Sequence, residues 1–230
     1  MKPGRAVGRF LWIAVIFLAF IGVAVGARRA IVLVKPGAMS ANKNPAAGLD
    51  EHFAREKALT LLHVIPGILF MVLGPLQFVR SLREKHPALH RWNGRIFLTA
   101  SAVIGVTGLT MALRGTIGGW DEKSAILIFG SFFLFALGKA LWHVLHREFA
   151  KHREWMIRGY AVGLAVATIR PIMASFFAIA VMHGQTPEPS KFFGTAFWIG
   201  FTAQAMAAEI WVRNTRSTTA AVRIARQPAD

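Results

Sequence analysis

Residues 58–79 read ALTLLHVIPGILFMVLGPLQFV, a stretch without a single Asp, Glu, Lys or Arg. A helix needs about 20 apolar residues to cross the hydrocarbon of a bilayer. This stretch meets that length and lacks the period-two alternation of a membrane barrel strand. Backbone groups in lipid must be satisfied within the segment, so the run predicts a spanning helix. Working outward, 10–27, 96–113, 124–142, 155–182 and 192–212 predict the same. The expected fold is an all-α polytopic membrane protein of six transmembrane helices with a four-helix core bundle. A first helix and external loop would occupy 1–57, the helical membrane core 58–213 and a basic tail 214–230. The run at 10–27 follows a basic start, as a signal peptide does. It is long for one, and Arg28-Arg29 stands where small residues would mark cleavage, so a retained span is expected.

Hydrophobic residues make up 54% of the 230-residue chain and charged residues 17%, yet the formal charge is +16. That charge would suit nucleic acid on a soluble domain. Here the bases cluster between apolar runs, which excludes that partner class and points to the lipid bilayer. Counted by connection, seventeen Lys and Arg fall on the side holding both termini and nine on the other. The positive-inside rule then places both termini in the cytoplasm. Arg28, Arg29 and Lys35 run against that count. The loop at 27–57 carries Pro36, Pro45 and Gly48, which predict irregular backbone, with a short interfacial helix over 50–57. The chain has no cysteine, which excludes disulfides, thiolate metal sites and Cys nucleophiles. Gly-x-Ser-x-Gly, His-Glu-x-x-His and P-loop patterns are absent, so hydrolase chemistry has no support.

Two spans open with related text. One begins His90-Arg91-Trp92-Asn93-Gly94-Arg95, the other His152-Arg153-Glu154-Trp155-Met156-Ile157-Arg158. Each reads His-Arg, then Trp, then Arg three positions on. Both helices would run the same way, so the two histidines would sit at one depth and could offer one imidazole each to a shared ligand. Trp and Arg are also ordinary interfacial anchors. His86, His143 and His146 fall at the same end.

Ionisable residues inside spans are functional hypotheses by default. Three stand out. His63 and Arg170 would share the outer half, and Glu209 the inner half with His90, His152 and Arg158. Arg170 precedes Pro171, which removes one hydrogen bond from its helix. Gly67, Gly74, Gly94, Gly105, Gly108, Gly138, Gly159 and Gly163 suit close helix packing.

The blocks around His63, Gly74-Pro75-Leu76-Gln77-Phe78, His90–Arg95 and His152–Arg158 resemble an uncharacterised bacterial family of predicted membrane proteins, domain of unknown function 2306. The resemblance covers about 59–213 and implies architecture and a bacterial cytoplasmic membrane, without an activity. A narrower likeness is to the cytochrome b-561 superfamily, with six helices and both termini in the cytoplasm. In that family the second and fourth helices hold an outer haem and the third and fifth an inner one. His63 matches the second-helix position, His90 the third and His152 the fifth. The fourth helix opens Asp121-Glu122-Lys123 without a histidine, and His183 would lie in a loop.

The leading expectation is therefore b-type haem, with His90 and His152 as axial ligands, in membrane electron transfer. Arg91, Arg95, Arg153 and Arg158 would neutralise the propionates, and Trp92 and Trp155 would wall the site. His63 and Arg170 would form a second site for haem or a quinone-like headgroup, with a redox partner implied. The alternative is a non-enzymatic lipid-binding or complex-assembly protein whose basic loops hold anionic lipid headgroups. A third reading is a divalent-metal-binding transporter using His86, His90, His143, His146 and His152.

Overall fold

The computed structural model describes residues 5–35 and 47–224, and every regular element among them is helical. The helices are α1 (Arg5–Val34), α2 (Ala47–Ala54), α3 (Lys57–Gln77), α4 (Arg80–Lys85), α5 (Pro87–Arg114), α6 (Gly119–Leu145), α7 (Phe149–Met182) and α8 (Pro189–Ile224).

The helices overrun the apolar runs that predict them. Pro87 takes the first turn of α5, where its missing N–H costs nothing, so the His90–Arg95 block is helical rather than a lead-in. α7 likewise begins before His152, and α8 continues past Val212. α1 extends to Val34, which moves Arg28 and Arg29 out of the expected loop and onto the helix. The short helix α2 starts earlier than its expected position, and Gly48 belongs to it. Pro36 and Pro45 lie outside the described residues. α7 passes through Pro171 without ending.

Five helices, α1, α3, α5, α6 and α7, are each long and apolar enough to cross a membrane. α8 is interrupted by Lys191 and Glu209 and is less apolar than these. Successive long helices alternate in direction. α3 packs on α5, α5 on α6 and α6 on α7; α1 closes the side between α3 and α7, and α8 lies against α6 and α7. One end of the bundle carries the α4, α5 and α7 starts and the Arg213–Arg216 turn, and is called here the basic end. The other, the distal end, carries α2, the α5–α6 turn and the α7–α8 turn.

The centre is an aromatic plug. Phe70 of α3 stacks on Phe97 of α5 at 5.0 Å, meets Phe133 of α6 edge-on at 5.7 Å and lies 5.3 Å from the Tyr160 ring of α7. Two glycines admit these rings. A Cβ at Gly74 would stand 2.0 Å from Tyr160 Cε2, and one at Gly163 2.4 Å from Phe70 Cζ. Gly67 and Gly138 behave otherwise than expected: a Cβ at either meets nothing, and Gly67 borders open space.

Candidate ligand cavity and the basic end

Above the plug the bundle is hollow. A cavity of about 250 Å³ runs from His52, Gly115 and Thr116 at the distal end to a floor of Phe70 and Phe133. Small-molecule sites begin near roughly 300 Å³, so the space suits one ring-sized head. Its walls are largely apolar, and Phe53, Phe129, Phe197 and Phe201 add aromatic faces to those of the floor.

The polar groups in this wall come from five helices. Arg170 of α7 and His63 of α3 stand at one level, as the packing requires. Gly163 touches Phe70, and both Arg170 and His63 lie seven residues, roughly 10 Å, further toward the distal end. His63 Nδ1 is 3.0 Å from Thr107 Oγ1 on α5. Arg170 has no hydrogen bond or ion pair among the described residues, and Glu122 of α6 acts on it only through space. Glu122 is itself buried and accepts from the Gly118 N–H at 2.7 Å. Arg29 of α1 also borders the cavity, but its charge is answered. It pairs with Asp50 of α2, donates to the Leu49 carbonyl at 3.2 Å and lies over the Phe53 ring at 4.4 Å.

Arg28 donates twice to the same Asp50, at 3.0 and 2.8 Å. This bonding holds the Asp50 carboxyl below the usual carboxylate range, against the opposing effect of burial. The two arginines that ran against the positive-inside count are thus partly neutralised by one acid. Burial, with Arg55 nearby, pushes the His52 imidazole down. Sequence reasoning missed Glu122, Arg29 and His52 as cavity residues.

At the basic end the two related openings keep a common feature. Arg95 lies over the Trp92 ring at 5.1 Å and Arg158 over the Trp155 ring at 4.9 Å. Their surroundings differ. Trp92 is 60% exposed, whereas Trp155 packs edge-on against Phe135 at 5.5 Å. Arg91, Arg95 and Arg153 are exposed, and Arg153 donates to Thr215 at 3.2 Å. Arg158 is engaged by Glu209 at 3.0 and 2.8 Å, which also takes Arg213 at 2.8 Å.

His90 and His152 are near enough for their charges to interact. His152 Nδ1 donates to the Ala140 carbonyl at 2.8 Å, and His90 Nδ1 is buried without a partner. His143 is held by Glu148 and His146 by the Trp142 carbonyl. No group of three or more His, Asp or Glu among the described residues is placed to hold a metal ion. The cavity at this end, lined by Phe132, Trp155, Arg158, Ala205, Ala208 and Glu209, lies on the α8 side of α7 and includes neither His90 nor His152.

A family model described as "Predicted membrane protein (DUF2306)" matches residues 60–212. The chain belongs to this family. The match spans α3 to most of α8, and so takes in His63, Glu122 and Arg170 but neither Arg29 nor α2. No curated protein and no solved structure matches the chain.

Proposed function

We propose that this DUF2306 membrane protein binds a membrane-soluble aromatic carrier of the quinone type in the distal cavity. One observation carries the reading: Arg170 lines an apolar, phenylalanine-rich cavity without a partner of its own, level with His63. An unpaired guanidinium at membrane depth is costly, and it is a strong donor to a carbonyl or oxyanion. The phenylalanine walls would take the ring, and the exposed apolar helix faces would pass a tail to the lipid. The arrangement belongs with six crossings and both termini on the cytoplasmic side of a bacterial inner membrane. The test is titration of the full-length protein in nanodiscs with a short-chain naphthoquinone, read by quenching of tryptophan fluorescence. A charge-assisted hydrogen bond is worth about 1.5–3 kcal/mol, so Arg170→Ala should weaken binding by ten- to a hundredfold. Equal binding by the variant and the parent would reject the reading.

A second reading is b-type haem between α5 and α7. In its favour, the His152 Nδ1 bond to Ala140 leaves Nε2 free, the arrangement of a ligating histidine. Against it, Arg158 is already paired and Trp92 faces outward. A Soret band in protein from haem-replete cells, lost in a His90→Ala, His152→Ala double variant, would establish the haem; a spectrum without that band would remove it.

A further inference from the structure

The distal cavity has a donor side and an acceptor side, and both can be read from the hydrogen bonds behind it. Thr107 Oγ1 is 2.6 Å from the Val103 carbonyl, one turn back on its own helix. A carbonyl only accepts, so the hydroxyl hydrogen is committed there. Toward His63 the Thr107 oxygen can then only accept, and it stands 3.0 Å from Nδ1. With the short hydroxyl bond kept to Val103, the geometry favours the imidazole proton on Nδ1, which leaves a lone pair on Nε2. The ring's position agrees. A Cβ at Gly108 would lie 3.3 Å from His63 Cε1 and 3.8 Å from Nδ1, with Nε2 further off. The Nδ1 edge faces α5, and the Nε2 edge is the one left for the cavity.

Arg170, at the same level, has only hydrogens to give. Glu122, also in the wall, adds carboxyl oxygens on the α6 side. Arg29 is a second donor in the wall but is turned to Asp50 and the Leu49 carbonyl, so the unpaired donor Arg170 is set against the Nε2 lone pair of His63 between aromatic walls. A quinone carries acceptors only. It would satisfy Arg170 but set a carbonyl oxygen against the Nε2 lone pair. A fatty-acid carboxylate has the same defect and no ring for the phenylalanine faces. A quinol satisfies both sides, since each ring hydroxyl can donate through its hydrogen and accept through its oxygen.

We propose that the cavity selects the reduced, hydroxyl-bearing form of such a carrier. His63 Nε2 accepts from one quinol hydroxyl, and Arg170 donates to a quinol oxygen. This rests on the quinone-type reading above and adds the redox form that is preferred. It involves binding alone, with no electron transferred. Thr107 is a positioning residue, because it acts only through the tautomer of His63.

The experiment uses the full chain in nanodiscs under nitrogen. The probes are a naphthoquinone, its quinol and the dimethyl ether of that quinol, each titrated against tryptophan fluorescence. One hydrogen bond of this kind sets an expected preference of about tenfold for the quinol over both other probes. His63→Leu should abolish the preference while the quinone still binds. Thr107→Val, nearly the same shape, should reduce the preference by freeing the tautomer, whereas Thr107→Ser should keep it. If quinol and quinone bind the parent equally, and both weaken in Arg170→Ala, the redox preference is overturned and the cavity reading stands. If no probe binds, both fall. A preference that survives in both His63→Leu and Thr107→Val also overturns the assignment to His63.

Discussion

Replacing Arg170 by methionine should make the protein more stable and less able to bind. The side chain sits about twelve residues, roughly 18 Å, from the distal end of α7. No carboxylate lies within ion-pair distance of it among the described residues. Insertion scales put an arginine near the centre of a spanning helix at about 2.5–3.5 kcal/mol. Attraction to Glu122 returns part of this cost. Repulsion from Arg29 withholds part of that return. The net gain on removing the charge should be about 1–3 kcal/mol. Methionine is the right replacement because it keeps the length and adapts to an irregular wall. The assay is reversible unfolding in bicelles by SDS titration, followed by helical ellipticity. Arg170→Lys serves as the control that retains the charge and should show no gain. A ligand-free Arg170→Met variant less stable than the parent by 1 kcal/mol or more would refute the reasoning. It would mean that the guanidinium already has a structural partner and is not held ready for a ligand. A gain in stability together with a loss of naphthoquinone binding is the trade expected of a functional residue.

Three further outcomes follow from other parts of the fold. Gly74→Ala would put a methyl group 2.0 Å from a Tyr160 ring that is already wedged between Phe70 and Phe78. It should cost about 1–3 kcal/mol or more, and Tyr160→Leu in the same chain should recover most of the loss; equal stability of Gly74→Ala and parent would contradict the close approach. Asp50 is held below its unfolded value, so the stability it contributes is full above the ordinary carboxylate range and is lost as pH falls through the lowered folded value. Hydrogen-exchange protection factors over α2, taken relative to the intrinsic amide rate at each pH, should therefore fall on acidification of the parent, and in Asp50→Asn they should be low already at pH 7 with little further change. Glu209→Gln removes the partner of a largely buried Arg158 but leaves Glu154 at 3.8 Å; since Glu209 is more than a third exposed, the loss should be only about 1 kcal/mol, measured by the same SDS titration.

The spans were legible because apolar length is a one-dimensional property. Their ends were not, since the polar first turns of α5 and α7 look like loop until Pro87 and the tight His146–Glu148 turn are placed. That turn holds Arg147 in the left-handed region, at φ 59°, which no local pattern announces for an arginine. The same division applies to the cavity. His63 and Arg170 were visible as polar letters inside apolar runs. Apolar length places both in the outer half, and the contact of Phe70 with Gly163 fixes the register of α3 against α7 and sets them level.

Glu122 could not be found in the same way. It is flanked by Asp121 and Lys123 in the first turn of α6, where an acid is unremarkable near a helix N-terminus. What distinguishes it is three-dimensional: its carboxylate folds back onto the Gly118 N–H and is buried beneath α8, where Gly194 closes on the backbone of Glu122. Arg29 was hidden for the opposite reason. It reads as a surplus base that weakens the topology, and only the bond to an acid about twenty residues away explains it. Position in sequence therefore identifies which charges enter the membrane, whereas the pairing decides which of them is free to act. Of the two cavity arginines, Arg29 spends its charge on Asp50, and Arg170 keeps its own for whatever enters beside His63.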